Sequence, residues 1–102
     1  MSLLLERLEI KHPIFLAPMA GVSTPELAAE VSNQGGLGSL GLGANTAETA
    51  RSQILKTQAL TEQPFQVNFF CHQSIELDPT IAQTWIDFLR PHFEQYDAEP
   101  PT

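Results

Sequence analysis

A polar side chain stands near the end of an apolar stretch and could contact a ligand. Residues 64–70 read Pro-Phe-Gln-Val-Asn-Phe-Phe, and Asn68 lies close to the end of this run. An amide offers a ligand both hydrogen-bond donors and an acceptor. It can also bond only a neighbouring loop backbone, because buried polar groups are usually satisfied within the protein. The residue types alone leave both interpretations of Asn68 open.

Other side chains supply few catalytic candidates. His72 follows the same stretch, where a general acid or base is conceivable, but no carboxylate nearby would orient its ring, so a solvated histidine is favoured. Cys71 has no local signature of a nucleophile, and a buried, inert thiol is favoured. Met19 could pad a cofactor ring, although most methionines fill gaps in a core. No metal-ligand spacing, phosphate-binding loop or nucleophile elbow occurs in the sequence.

A glycine-rich segment, residues 36–41, matches the letters of the dinucleotide fingerprint G-x-G-x-x-G. The fingerprint has to follow a strand and open a helix, so that phosphates meet the helix N-terminus. Here the order is reversed, because Gly35 and Gly36 are typical of a helix end and residues 37–41 of the next strand. We therefore interpret the segment as a buried strand whose glycines allow close backbone approach.

The elements that position these residues alternate between strands and helices. Apolar runs predict strands over 13–17, 37–41 and 64–70. Capping residues predict three helices, beginning after Thr24, Thr46 and Asp78, the second of them running over 47–59. Pro91 is expected to kink or restart the third helix, and residues 97–102 resemble a linker.

This alternation predicts an α/β fold with a parallel sheet, in the form of three βα units. An open doubly wound sheet and the first part of a (β/α)₈ barrel use the same unit, and the pattern does not choose between them. In both folds, ligands gather at the carboxyl ends of the strands. We therefore expect Ala17–Gly21 and Asn68 to meet at that end, with His12, which precedes the first strand, at the other.

Composition narrows the functional class. The 102 residues are 42% hydrophobic and 17% charged, which predicts one globular core and not a disordered polyelectrolyte. A net charge of −7 leaves no basic surface for nucleic acid or an anionic membrane, and no run is long enough to span a bilayer. With a single cysteine and no signal-peptide pattern, the cytoplasm is the expected compartment. Small-molecule chemistry is favoured, and the sequence does not set the oligomeric state.

The chain resembles the start of the nitronate monooxygenases, formerly called 2-nitropropane dioxygenases. The resemblance rests on an A-P-M-A-G segment at Ala17–Gly21, a T-P-E-L-A-A helix start from Thr24, and a G-G-L-G strand from Gly35. A P-F-Q-V-N strand from Pro64 and the Glu-Pro-Pro ending complete it. These motifs occur together and in order, so the resemblance spans nearly the whole chain.

The resemblance implies the amino-terminal portion of a single (β/α)₈ barrel domain that binds FMN without covalent attachment. It also implies oxidation of alkyl nitronates by O₂ to carbonyl compounds and nitrite. By position, Ala17, Pro18, Met19 and Ala20 would lie under the isoalloxazine, and Asn68 would hydrogen-bond the flavin. The family's catalytic histidine lies in later barrel segments, so the resemblance assigns no catalytic residue to these 102 positions.

Two other flavin families share parts of this pattern. Residues 16–22, Leu-Ala-Pro-Met-Ala-Gly-Val, also resemble the opening of tRNA dihydrouridine synthases. Those enzymes continue with an aspartate and a Pro-Phe-Arg helix start, whereas this chain continues Ser-Thr-Pro-Glu-Leu from Ser23. Flavin-dependent enoyl reductases are a closer structural relative. A fragment or binding module that keeps the fold without the reaction is the third alternative.

Overall fold

The computed structural model describes residues 2–101 as an α/β fold with parallel strands. Within them the elements follow in the order α1 (Leu3–Leu8), α2 (Pro25–Asn33), β1 (Gly38–Gly41), α3 (Ala47–Leu60), β2 (Phe65–Asn68) and α4 (Pro79–Gln95). The chain forms two compact units, of which the first runs to Cys71 and the second begins at His72 and contains α4.

Three extended segments of the first unit lie side by side in chain order. β1 and β2 are parallel, with Gly38 opposite Phe65 and Gly41 opposite Asn68. The backbone of Leu37 bonds the segment around Phe15. Its carbonyl accepts a hydrogen bond from the Leu16 N–H and its N–H donates to the Ile14 carbonyl, both at 2.9 Å. These two bonds form a single parallel bridge between Phe15 and Leu37.

The predicted first strand over 13–17 is therefore wrong in extent. Only Phe15 of this segment forms a bridge, and the structure assigns no strand across its five residues. Pro13 and Pro18 have no N–H to donate, which removes ladder hydrogen bonds at both ends of the segment. The predicted strand over 64–70 is also shorter than expected, since β2 ends at Asn68. The sequence predicts three βα units, each with its own strand. Within the described residues, two of these strands are formed, and the first is reduced to the bridge at Phe15.

The core lies between the helices and one face of β1. Leu40 and Leu42 are almost fully buried and cluster with Ala28 of α2 and Ala50 of α3. Leu16, Ile54 and Phe65 pack against this cluster. Since side chains alternate along a strand and paired residues share a face, the other face of the sheet is formed by Ser39, Gly41, Gln66 and Asn68.

Helix α2 sits directly on β1 because Gly38 has no side chain. A β-carbon built at Gly38 would overlap the Ala28 carbonyl oxygen and lie 2.6 Å from Ser32 Oγ. The buried Ser32 hydroxyl accepts from the Gly38 N–H at 2.9 Å and donates to the Pro64 carbonyl at 2.8 Å. The interpretation of the glycine-rich segment as a strand that permits close approach is thus confirmed.

This contact predicts a large stability cost for Gly38→Ala. Overpacking of a close-fitted core costs about 1–3 kcal/mol, and we expect the upper part of that range because backbone blocks the new methyl group. Gly43→Ala is the matched control, since the atoms nearest to its β-carbon belong to the ring of Phe70, a side chain that is 62% exposed and is not backbone. Urea unfolding of the two variants measures the difference in stability. Equal midpoints would contradict the close packing of α2 on β1 at Gly38.

The three predicted helix starts are confirmed. Thr24 and Thr46 accept hydrogen bonds from the N–H groups of Leu27 and Thr49, each at 3.2 Å. Asp78 accepts from the Thr80 N–H at 2.8 Å. Each bond satisfies one of the free donors at a helix N-terminus.

Two helical features differ from the sequence prediction. Helix α4 continues through Pro91 to Gln95 and does not restart there. The unpredicted helix α1 is capped by Ser2, which accepts from the Leu4 N–H at 3.3 Å.

Residues 98–101 carry no regular structure, in keeping with the predicted linker, whose last residue, Thr102, lies outside the described residues. Throughout residues 2–101, each helix is too short or too polar to cross a membrane.

Candidate functional site

The first loop and Asn68 meet at the end of β1. Gly41 is paired with Asn68, and the Leu42 N–H donates to the Asn68 carbonyl at 3.0 Å. A β-carbon built at Gly41 would lie 3.0 Å from the Ala20 nitrogen and 3.1 Å from the Met19 carbonyl carbon. Met19 and Asn68 therefore both lie next to Gly41, at the end of the sheet that the sequence predicts for them.

The first loop presents small residues to solvent. All five residues of Ala17–Gly21 are exposed, and Met19 is 38% exposed. Gly21 has φ +74°, a left-handed conformation that other residues adopt only with strain. A flat ligand could approach the backbone here, because few side chains stand in front of it.

A buried hydroxyl holds this loop from the inside. Ser23 is 5% exposed, and its Oγ accepts a hydrogen bond from the Met19 N–H at 2.5 Å. The same oxygen lies 2.8 Å from the Met19 carbonyl oxygen and 3.3 Å from that of Ala17. Sequence reasoning missed this role, because a serine next to the Thr24 cap gives no signal that it bonds backwards into the loop.

The Asn68 side chain is half-buried on the sheet face opposite the helices. Within residues 2–101 its side-chain amide makes no hydrogen bond, whereas its backbone is paired with β1 and its carbonyl accepts from the Leu42 N–H. The alternative in which this amide bonds a neighbouring loop backbone is therefore not what the structure shows. Asn68 is left with two donors and an acceptor for another partner.

The second loop, residues 41–45, contributes a further amide. Asn45 lies just after β1, and its Nδ2 is buried without a hydrogen-bond partner among the described residues. A buried donor without a partner costs roughly 1–3 kcal/mol, so such an atom calls for a partner outside these residues. Asn45 was not among the sequence candidates for binding, and its position in a strand-end loop was the available signal.

The structure also locates the other reactive side chains that the sequence offered, which are His12, His72 and Cys71. The His12 N–H donates to the Gly35 carbonyl at 2.9 Å, which places it at the amino end of β1, as predicted. His72 is exposed. Cys71 is also exposed, so the prediction of a buried thiol is wrong. The reason is that β2 ends at Asn68, and the residues after it leave the sheet.

A surface ion pair lies beside the end of the first loop, in a pocket that Gly21 and Ser23 also line. Lys56 of α3 bonds Glu26 in the first turn of α2, and the hydrogen bond from its ammonium holds the pKa of that carboxyl below its ordinary value. Both side chains are more than half exposed, so the pair links α2 to α3 only weakly. The three strand-end loops, residues 17–21, 41–45 and 68–72, contain no lysine or arginine.

The family model and two named relatives agree on one family. The family model for nitronate monooxygenase matches residues 1–100. A nitronate monooxygenase of Paraburkholderia phytofirmans is 56% identical over 98 residues, which cover 96% of this chain and 27% of that relative. One from Pseudomonas aeruginosa is 50% identical over 94 residues, covering 92% of this chain and 27% of the relative.

A solved structure is similar to this chain in fold. The nitroalkane oxidase of Streptomyces ansochromogenes superposes with a TM-score of 0.77 at 39% identity, over 96% of this chain and 27% of that one. The chain thus spans about a quarter of the length of the proteins that it matches. The family model, the identities and the superposition all agree with the motifs at the strand ends. This chain belongs to the nitronate monooxygenase family.

Proposed function

We propose that this chain forms the first part of a (β/α)₈ barrel that binds FMN and oxidises alkyl nitronates with O₂ to carbonyl compounds and nitrite. Family membership supports an oxidoreductase of this kind. The side-by-side order of the Phe15 segment, β1 and β2 supports the barrel, which closes from parallel strands that are neighbours in sequence.

The observation that carries the proposal is the meeting of an exposed small-residue loop and a free amide at Gly41. Such a site suits a flat, polar-edged ring, because backbone can approach its face while hydrogen-bonding groups stand at its rim. We assign Ala17, Pro18, Met19 and Ala20 to the isoalloxazine and Asn68 to a hydrogen bond with the flavin. Bound there, FMN would supply the redox chemistry, and these residues would hold and orient it.

The rest of the proposed site lies outside these residues. FMN carries a phosphate and the nitronate is an anion, yet the three strand-end loops contain no lysine or arginine. Barrels commonly build their phosphate site after the seventh and eighth strands. We therefore assign the phosphate contacts and the catalytic base to later segments of the barrel. The net charge of −7 favours small-molecule substrates over the RNA of dihydrouridine synthases.

The test uses a completed chain, in which these 102 residues are followed by the remaining carboxyl-terminal part of the Paraburkholderia phytofirmans relative. We expect this protein to be yellow after desalting and to release nitrite from an alkyl nitronate in the presence of O₂. The unaltered relative serves as the positive control. A completed chain that unfolds cooperatively but is colourless, or that does not fold at all, would contradict the proposal.

A further inference from the structure

Ser23 forms a compact set of hydrogen bonds inside the first loop. Its hydroxyl has one hydrogen to donate, and the nearer acceptor is the Met19 carbonyl at 2.8 Å. That carbonyl also accepts from the backbone N–H groups of Ser23 and Val22, at 2.9 and 3.1 Å. The Met19 N–H is bonded to the Ser23 hydroxyl as well. Both polar groups of Met19 are thus engaged within the loop.

The neighbouring peptide groups are left available. Among the described residues, the Ala20 N–H and the Pro18 carbonyl make no hydrogen bond. They belong to exposed residues, whereas Ser23 is buried beneath them. The loop therefore offers one donor and one acceptor on the two sides of Met19, and Ser23 fixes the peptide groups between them.

We propose that Ser23 is a positioning residue that sets the affinity and orientation of FMN by holding the Met19 peptide groups, so that the Ala20 N–H and the Pro18 carbonyl face the flavin. This inference rests on the proposed function. Ser23 does not touch the flavin and acts only through the loop. Without its hydroxyl, the Met19 N–H loses its partner and is free to turn outward, while the Met19 carbonyl keeps its two backbone hydrogen bonds.

Ser32 provides a matched control for Ser23. It is also a serine, is 1% exposed, and uses its hydroxyl both to accept from a backbone N–H and to donate to a carbonyl. It belongs to α2, and its hydroxyl contacts the start of β1, at the end of the sheet away from the first loop. A purely structural role for both hydroxyls predicts equal effects on FMN for equal losses of stability.

The experiment compares Ser23→Ala and Ser32→Ala in the completed chain. We expect both to lower the urea midpoint, while only Ser23→Ala weakens FMN binding, by about fivefold or more, as loss of one hydrogen bond predicts. FMN titration into apoprotein gives the affinity, and the visible absorption of the bound flavin reports its surroundings. We expect the spectrum to shift in Ser23→Ala alone.

Two results would overturn this inference. One is equal FMN affinity and an unshifted spectrum for both variants, with the unsubstituted completed chain binding FMN. If Ser23→Ala does not fold, Ser23→Cys replaces it, because a thiol fills nearly the same volume but bonds weakly. The second contradicting result would then be a Ser23→Cys variant that binds FMN as tightly as the unsubstituted completed chain. An unsubstituted completed chain that binds no FMN would instead reject the proposed function.

Discussion

Asn68→Ala in the completed chain is expected to weaken FMN binding by roughly 5- to 150-fold, which corresponds to about 1–3 kcal/mol for a lost hydrogen bond that leaves its partner unsatisfied. The Asn68 amide makes no hydrogen bond within residues 2–101, so its removal leaves no protein group there without a partner. The urea midpoint should therefore stay close to that of the parent. Titration of FMN into the apoprotein measures the effect.

Gln66→Ala is the control for this variant. Gln66 lies on the same face of β2 as Asn68, two residues nearer the amino end of the strand, and is paired with Ser39. It also carries an amide and is exposed. If proximity to the first loop matters, only Asn68→Ala lowers the affinity. Unchanged affinity in Asn68→Ala would return Asn68 to a structural role, and equal losses in both variants would place the flavin elsewhere on the sheet.

Local signals in the sequence are sufficient to predict where most of the helices begin. Thr24, Thr46 and Asp78 each accept a hydrogen bond from an N–H of the helix that follows, and such caps depend on only a few adjacent residues. The same is true of the helix end before β1, where Gly35 has φ +91°. Signals contained within one turn of chain can be recognised without knowing the tertiary fold.

Features set by distant neighbours were harder to predict. The segment around Phe15 has the composition of a strand, but its pairing depends on which backbone lies beside it. The continuity of α4 through Pro91 also depends on more than the proline itself, which removes one helical hydrogen bond while sixteen other residues remain helical. Propensity sets a preference in both cases, and tertiary context decides the outcome.

The candidate site was predicted in outline but not in its hydrogen bonds. Parallel topology brings strand ends together, which is why Met19 and Asn68 could be expected at one edge. The backward bonds from Ser23 and the unpartnered Asn45 amide depend on loop conformation, for which the sequence has no periodic signal. The residues that support a site are thus less visible in sequence than the residues that face it.

Residues 1–102 by themselves are expected neither to retain FMN after desalting nor to convert nitronates to nitrite. Within the described residues β2 is paired on one side only, and an unpaired strand edge favours association with other chains. Apolar side chains are also uncovered: in the first unit Leu55 and Phe69 line an open groove, and in the second Trp85 and Phe88 are 60% and 69% exposed. Exposed patches of this kind predict a marginal or self-associating protein.

The expected loss of activity follows from how little of the flavin these residues can hold. The first loop and Asn68 would contact one edge of the ring system, and the phosphate would have no cation from the three strand-end loops. The measurement compares residues 1–102 with the completed chain, recording flavin absorbance after desalting and nitrite released from a nitronate. A yellow, nitrite-releasing 102-residue protein would show that these contacts suffice and that later barrel segments are not needed to bind the cofactor.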